Sequence, residues 1–261
     1  MVKGLELFRR HFGEHRDGFV VIGGGACHEW FARQALTFRS TKDLDVVIIA
    51  EAMNADFVEA IRVFVREGGY RNRERFDGTP ELHRFSSPIR GDVPAVLELF
   101  SRKPDGLLLR FGQTVVPLGG PAARTGLSAI LLDEDYYRML CDCVEVIDGL
   151  PVATPTALLA MKARAWLDLS ERQSRGETVD QRDVDKHRND VFRLAALVPS
   201  DSVVVPQRVG DDLRRFLARF HEDHSDWSAI LAALGSTFGG QIFSPADIRS
   251  ALVTHFGLTP E

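Results

Sequence analysis

The first part of the chain alternates between short apolar runs and polar segments. Residues Phe19–Ile22 are all apolar, three glycines follow, and a helix-compatible segment runs from 26 to about 34 before a second apolar run at 46–49. Short apolar runs bounded by turn residues are typical of buried strands. The pattern therefore predicts a strand, a glycine turn, a helix and a second strand.

The same patterns predict the rest of the first half. Apolar residues at helical spacing indicate a helix over 52–69, which Gly68 and Gly69 end. Residues 70–84 are polar and predict little strand. The acidic triplet at 133–135 predicts a helix N-terminus, where carboxylates favour the helix dipole. The other predicted elements are a strand over 96–100, a hairpin around Gly112 formed by 107–110 and 114–118, a strand over 128–132, a helix from Tyr136, and a strand over 144–147 that ends the sheet.

Gly149 and Pro151 mark a break, after which the pattern is helical. Thr154 and Pro155 predict an N-cap and a first-turn proline for a helix that reaches about residue 172. A polar stretch at 170–181 predicts a long loop. Further helices are predicted over 182–198, 211–220, 227–234 and 245–256. The chain accordingly divides into a sheet-containing domain, 1–150, and a helical domain, 151–261.

Composition narrows the class of protein. The 261 residues carry a net charge of −5, which argues against a general polyanion binder. No stretch approaches the roughly 20 apolar residues of a membrane span. Cys27, Cys141 and Cys143 form neither a disulfide framework nor a zinc motif, so we expect reduced thiols in a cytoplasmic protein. The arginines between Arg62 and Arg75 indicate either a solvated face or a local basic patch for a polyanion.

Two aspartates precede the second apolar run. Asp43 and Asp45 lie two positions apart in the predicted strand, so both point to one face, roughly 7 Å apart along the chain. Two carboxylates at that distance repel by roughly 2 kcal/mol at an effective dielectric near 20. A cation between them would remove this repulsion, and Mg²⁺ suits them because it binds oxygen ligands and shares them with phosphates.

The glycine turn before the predicted helix has its own chemistry. Glycines let the backbone approach a ligand closely, and the free N–H groups at a helix start favour an anion. Taken alone, each feature has a plain alternative: the glycines form an ordinary turn, and the Asp-x-Asp pair is a solvated strand end. Together, in this order, they favour a site for a phosphate group and a metal ion.

The combined pattern resembles a known family. A Gly-Gly turn, a helix and then the segment RSTKDLD at 39–45 resemble the nucleotidyltransferase fold of the polymerase-β superfamily. Within it, the pattern is most similar to the AbiEii/AbiGii-type toxin nucleotidyltransferases, which have a GG turn followed by R-x-[ST]-x-D-[IL]-D. Gly25 stands where many members have Ser or Thr, so phosphate binding there would depend on backbone N–H groups.

The resemblance implies a fold and a set of site residues. The fold class is α+β (α/β): a small mixed sheet flanked by helices, followed by a mostly helical C-terminal domain. The implied nucleotide-binding residues are Gly23, Gly24, Arg39 and Thr41, and the implied catalytic and metal-binding residues are Asp43, Asp45 and Glu98.

Glu98 lies in the middle of an apolar strand, and the resemblance implies that it is the third acid. An unpaired buried carboxylate is costly, so Glu98 needs a partner. In the superfamily a third acid comes from the strand beside the Asp-x-Asp strand, where it helps to hold one or two metal ions and accepts a proton. The alternative is an edge residue that faces water.

Two helical segments resemble motifs that follow in the toxin family. Lys162 matches a lysine on the first helix, and Lys186 and Asp190 match K-x-x-x-D on the second. The resemblance implies that Lys186 lies near the triphosphate and that Asp190 holds it in place. The alternatives are an ordinary i,i+4 ion pair for Lys186 and Asp190 and a lysine stem packed along apolar surface for Lys162.

The expected function is transfer of a nucleoside monophosphate from a nucleoside triphosphate to an acceptor hydroxyl. The resemblance implies the toxin of a toxin–antitoxin pair, with RNA, tRNA in particular, as acceptor and a cognate antitoxin as partner. Two other interpretations stay open: a small-molecule or protein acceptor, and a non-catalytic nucleotide-binding module. The presence of all three acids argues against the last.

Overall fold

The structure is a computed structural model that describes residues 2–74, 80–101 and 133–258. Two compact units are present. The first consists of Met1–Arg33, Phe38–Leu132 and Val144–Ala153, and the second of Gln34–Thr37, Asp133–Cys143 and Thr154–Glu261. The hairpin predicted around Gly112 and the strand predicted over 128–132 lie outside the described residues.

The first unit contains a mixed sheet with helices. Its helices are α1 (Leu5–His11), α2 (Gly23–Arg33) and α3 (Ala55–Gly68), and its strands are β1 (Phe19–Ile22), β2 (Asp43–Ile48), β3 (Arg71–Glu74), β4 (Pro80–Ser86), β5 (Val96–Ser101), β6 (Val144–Ile147) and β7 (Leu150–Ala153). Short 3₁₀ turns occupy Arg16–Gly18 and Ala50–Ala52.

The strands of the sheet lie in the order β3-β4-β5-β2-β1-β7-β6. Strand β2 pairs in parallel with β5 and antiparallel with β1, which places it at the centre. The four residues of β1 are all buried, as are Val46, Val47 and Ile48 of β2. These apolar runs form the middle of the sheet because both of its faces are covered there.

Aromatic rings form the core on one side of the first unit. Phe8 of α1 lies 4.5 Å from Phe12, 5.4 Å from Phe19 of β1 and 5.5 Å from Phe64 of α3, measured between ring centroids. Phe57 of α3 stacks at 6.2 Å on Phe19. Rings of this size bury large apolar areas, so they hold α1 and α3 against the sheet.

Two sequence predictions for the first unit were wrong. Residues 70–84 were expected to contain little strand, but β3 and most of β4 lie there, because the pairing of β3 with β4 and of β4 with β5 compensates for the weak pattern. The sheet was expected to end at Ile147, but Asp148 and Gly149 form a turn with positive φ, and β7 returns antiparallel to β6. Pro151 therefore lies within a strand rather than at a break.

The second unit is helical. Its helices are α4 (Glu134–Asp142), α5 (Pro155–Ser174), α6 (Gln181–Ala195), α7 (Gln207–Arg219), α8 (Trp227–Thr237) and α9 (Pro245–His255). The acidic triplet begins α4 as predicted, since the Asp133 side chain accepts hydrogen bonds from the N–H groups of Asp135 and Tyr136. Thr154 occupies the N-cap of α5 without a side-chain cap bond. The loop between α5 and α6 is shorter than predicted.

Aromatic packing also forms the core of the second unit. Phe192 of α6 is fully buried, and its ring centroid lies 5.6 Å from Phe216, 5.4 Å from Phe220 and 4.9 Å from Trp227. In the part of the chain that the structure describes, no helix is both long enough and apolar enough to span a bilayer.

A buried ion pair joins α5 and α6. Lys162 Nζ lies 3.2 Å from Asp190 Oδ2, and the two side chains are 9% and 0% exposed. Arg193 donates to the other carboxylate oxygen of Asp190 over 3.2 Å. Removal of one member of such a pair leaves a buried charge without compensation, which is strongly destabilising. Lys162 and Asp190 therefore stabilise the helical unit.

We predict that the isosteric substitution Asp190→Asn lowers the free energy of unfolding by about 3 kcal/mol or more, because Lys162 and Arg193 then lose their buried anion. The Lys162→Met substitution keeps the apolar stem and leaves Arg193 beside Asp190, so its cost is smaller. Urea denaturation of both single variants and of the double variant measures the coupling between the two positions. Strict additivity of the two losses would show that the pair does not interact.

Candidate active site

The glycine turn, Gly23–Gly25, is the first turn of α2, which follows β1 directly. Strand β1 ends at Ile22, and α2 begins at Gly23, which has a φ of +63° that residues with a β-carbon rarely adopt. A β-carbon built on Gly23 would overlap a carboxylate oxygen of Asp45. The backbone at the start of α2 and the Asp45 carboxylate are thus in close contact, and the contact depends on glycine.

Gly24 makes the second close approach. A β-carbon on Gly24 would lie 2.8 Å from Thr41 Oγ1, so the threonine hydroxyl packs directly on this backbone. Thr41 also donates a long hydrogen bond of 3.4 Å to the carbonyl oxygen of Asp43. The segment before β2 and the first turn of α2 therefore form one surface, on which Thr41 and Asp45 flank the helix start.

The three acids lie on two neighbouring strands, β2 and β5. We call Asp43, Asp45 and Glu98 the acidic row. Strands β2 and β5 run parallel, and Asp45 is the register partner of Glu98. Register partners on neighbouring strands point to the same face of a sheet, and Asp43 points there too because it is two positions from Asp45. The acidic row therefore lies on one face, beside the glycine turn.

Arg84 of β4 is the cation that the acidic row contacts. It is the antiparallel register partner of Glu98 and donates from Nη1 to Glu98 Oε1. Its Nη2 lies 3.8 Å from Asp43 Oδ2. The side chains of Arg84, Glu98 and Asp43 are 28%, 16% and 42% exposed, so one guanidinium serves two partly buried carboxylates on two neighbouring strands.

The donors of the acidic row are of the chemical type that a divalent cation such as Mg²⁺ prefers. Its donors are all carboxylate oxygens, which Mg²⁺ and Ca²⁺ prefer, and the position of Arg84 shows that positive charge is stabilised there. Over the described residues, no three His, Cys, Asp or Glu side chains are gathered tightly enough to form a ready metal site. Asp43 and Asp45 would hold the ion first, and Glu98 would join once its oxygen is released by Arg84.

The other predicted nucleotide-binding residues have separate locations. Arg39 is half-buried, and its guanidinium carbon lies 5.1 Å from the centre of the Phe38 ring. Lys162 and Asp190 form the buried pair of the second unit, and Lys186 forms an ion pair over 3.3 Å with Asp183 on the surface of α6. Contact of these four side chains with a nucleotide stays a prediction.

Helix α2 contributes to the candidate site through the backbone of its first turn. Burial lowers the pKa of His28, which lies on this helix, so the imidazole is neutral at neutral pH. The first N–H groups of a helix have no intrahelical partner, and with the helix dipole they favour an anion at the glycine turn.

Sequence reasoning missed Arg84, although one signal pointed to it. Glu98 in an apolar strand required a cationic partner, and the neighbouring polar segment offered arginines. Because that segment was not expected to form a strand, Arg84 had no predicted register with Glu98.

Comparison with known proteins adds little to this geometry. No protein-family model matches the chain, and no curated protein matches it. Solved structures to which the chain is similar include an antigenic nucleotidyltransferase-like protein from Paracoccidioides brasiliensis, with 16% sequence identity and a TM-score of 0.46 over 91% of this chain and 99% of that chain.

Proposed function

We propose that the protein is a magnesium-dependent nucleotidyltransferase that moves a nucleoside monophosphate from a nucleoside triphosphate to an acceptor hydroxyl. The observation that carries the proposal is the position of Asp45. Its carboxylate lies on the backbone of Gly23 at the start of α2 and, in register, beside Glu98. A helix start suited to a phosphate and a pair of carboxylates thus lie at the same end of the central strands.

The triphosphate would bind at the glycine turn. Backbone N–H groups in the first turn of a helix lack intrahelical partners and point at an anion placed there. Thr41 lies against Gly24 and would orient the same phosphates through its hydroxyl. Resemblance to the toxin nucleotidyltransferases also implies nucleotide contacts for Arg39 and Lys186. It implies the same for Lys162 and Asp190, but their burial in one ion pair favours the structural role described above.

The acidic row would carry out the chemistry. Asp43 and Asp45 would hold one or two Mg²⁺ ions, which would supply charge neutralisation and orientation of the phosphates. The acceptor oxygen forms a bond to the α-phosphorus as the bond to the β-phosphate oxygen breaks, and pyrophosphate leaves in line. Glu98 accepts the proton of the attacking hydroxyl.

The acceptor we propose is RNA, with tRNA as the first candidate, in a toxin that is paired with an antitoxin. This choice rests on the similarity of the glycine turn and the RSTKDLD segment to the AbiEii/AbiGii-type pattern. A small-molecule or protein hydroxyl is the alternative acceptor within the same chemistry.

We predict that Asp43→Asn/Asp45→Asn lowers nucleotide transfer by roughly 10³-fold, because the two charges that hold the metal are removed while side-chain shape is kept. The purified protein is incubated with Mg²⁺, total RNA and each α-labelled nucleoside triphosphate, and label in RNA is counted. Glu222→Gln/Asp223→Asn, which removes two neighbouring exposed acids of the second unit, is the matched control.

The outcomes of this assay separate the interpretations. Transfer to RNA that only the active-site variant loses supports the proposal and identifies the nucleotide. Magnesium-dependent triphosphate binding without label in RNA indicates another acceptor. If neither transfer nor binding occurs, the catalytic proposal is wrong.

We further predict that Gly23→Ala abolishes triphosphate binding, because its β-carbon would displace the Asp45 carboxylate from the turn. Gly69→Ala, at the C-terminal end of α3, is the matched control because Gly69 has the same φ of +63°. Both variants carry similar backbone strain of about 1–2 kcal/mol. Thermal denaturation together with titration of a non-hydrolysable triphosphate analogue distinguishes strain from loss of the site.

Equal losses of analogue binding in the two glycine variants would show that strain alone is responsible. Retention of binding by Gly23→Ala, with a normal melting profile, would contradict the assignment of the glycine turn to the phosphates.

A further inference from the structure

The contacts of Arg84 raise a question that the proposed function leaves open. An acidic row that binds Mg²⁺ needs free carboxylate oxygens, yet Glu98 Oε1 accepts a charge-assisted hydrogen bond from the Arg84 guanidinium. The same guanidinium lies 3.8 Å from Asp43 Oδ2. Arg84 thus contacts two of the three proposed metal ligands.

We infer that Arg84 is an internal counter-cation that competes with the divalent cation for the acidic row, so that metal binds strongly only together with the triphosphate. The inference rests on the proposed function and adds how the site is regulated. It follows from the positions of three strands, since β5 lies between β4 and β2 and brings Arg84, Glu98 and Asp45 into one row across the sheet.

Competition follows from charge and geometry. A carboxylate oxygen that ligates a divalent ion at about 2 Å cannot keep a guanidinium nitrogen in the same direction. A metal ion at the acidic row would also place two positive centres within a few ångströms of each other, where their repulsion is substantial at protein dielectrics. Ligation of the ion by all three acids therefore requires that Arg84 leaves Glu98.

The triphosphate changes this balance in two ways. Its oxygens add ligands and negative charge to the metal, and they offer the released guanidinium a planar partner that it can bind through two parallel hydrogen bonds. Arg84 is 28% exposed, so its side chain has access to solvent and can turn away from Glu98. The release of Glu98 also frees the carboxylate that accepts the proton of the acceptor hydroxyl.

The inference makes a prediction about metal binding that does not involve turnover. We expect Arg84→Gln to raise the affinity for Mn²⁺, used as a probe without nucleotide, about tenfold. A non-hydrolysable triphosphate analogue should then strengthen Mn²⁺ binding by a factor that is smaller by a similar amount, because the competing guanidinium is already gone. Since coupling between two ligands is reciprocal, Mn²⁺ should strengthen analogue binding by the same reduced factor. Titration calorimetry and the paramagnetic resonance signal of free Mn²⁺ measure both quantities on the full chain.

Two further variants make the result specific. Arg33→Gln removes an arginine from the ion pair with Glu145 on the same unit, away from the acidic row, and should leave Mn²⁺ affinity unchanged. Arg84→Lys keeps the positive charge and should resemble the unsubstituted protein in Mn²⁺ affinity. If Arg84→Gln does not fold, Arg84→Lys still tests the inference, because Arg84→Lys should fold and should show no gain in Mn²⁺ affinity in the absence of nucleotide.

Failure of the inference differs from failure of the proposed function. The role of Arg84 is overturned if Mn²⁺ affinity is unchanged or lower in Arg84→Gln, or if Arg84→Lys raises it equally. In either case, Mn²⁺ binding to the unsubstituted protein still supports the metal site. Absence of Mn²⁺ binding in every variant, with and without the triphosphate analogue, overturns both.

Discussion

The parallel pairing of β2 with β5 is the constraint on which the candidate site depends. The pairing places Asp45 opposite Glu98, two positions along from Asp43, so three carboxylates share one face of the sheet. Like charges on neighbouring strands destabilise a sheet unless a cation compensates them. The apolar residues that alternate with the acids in both strands, such as Leu44, Val46 and Leu97, are buried and fix the register. A one-residue shift of either strand would expose them, so the acids stay together.

The glycine turn is the second consequence of this arrangement. Because β1 pairs antiparallel with β2, Ile22 is the partner of Asp45, and the chain must enter α2 immediately beside that carboxylate. Only a residue without a β-carbon fits there, and Gly24 meets Thr41 in the same way. The backbone that we propose for the phosphates and the carboxylates that we propose for the metal ion are therefore neighbours because of strand order.

The sequence predicted the acids and the turn, but it did not predict what compensates the acids. Asp43, Asp45 and Glu98 were found because each belongs to an apolar strand whose period of two fixes its direction. Arg84 lies in a polar stretch whose strand β4 forms through ladder pairing with β5, and tertiary pairing of this kind leaves little trace in local periodicity. Strand β7 was missed for a related reason: Pro151 is typical of a break, yet the single register pair of β7 with β1, Val21 with Val152, leaves the proline position outside that ladder.

The degree of burial determines how costly it is to separate a carboxylate from the cation that compensates its charge. Asp190 is fully buried, and its partners Lys162 and Arg193 are almost as inaccessible, so separation of charges there would cost several kilocalories per mole. The acidic row follows the same rule of compensation at 16% to 42% exposure, where solvent lowers the cost of exchange. A guanidinium in the second environment can give way to a metal ion and a triphosphate, whereas the ion pair in the first holds two helices together.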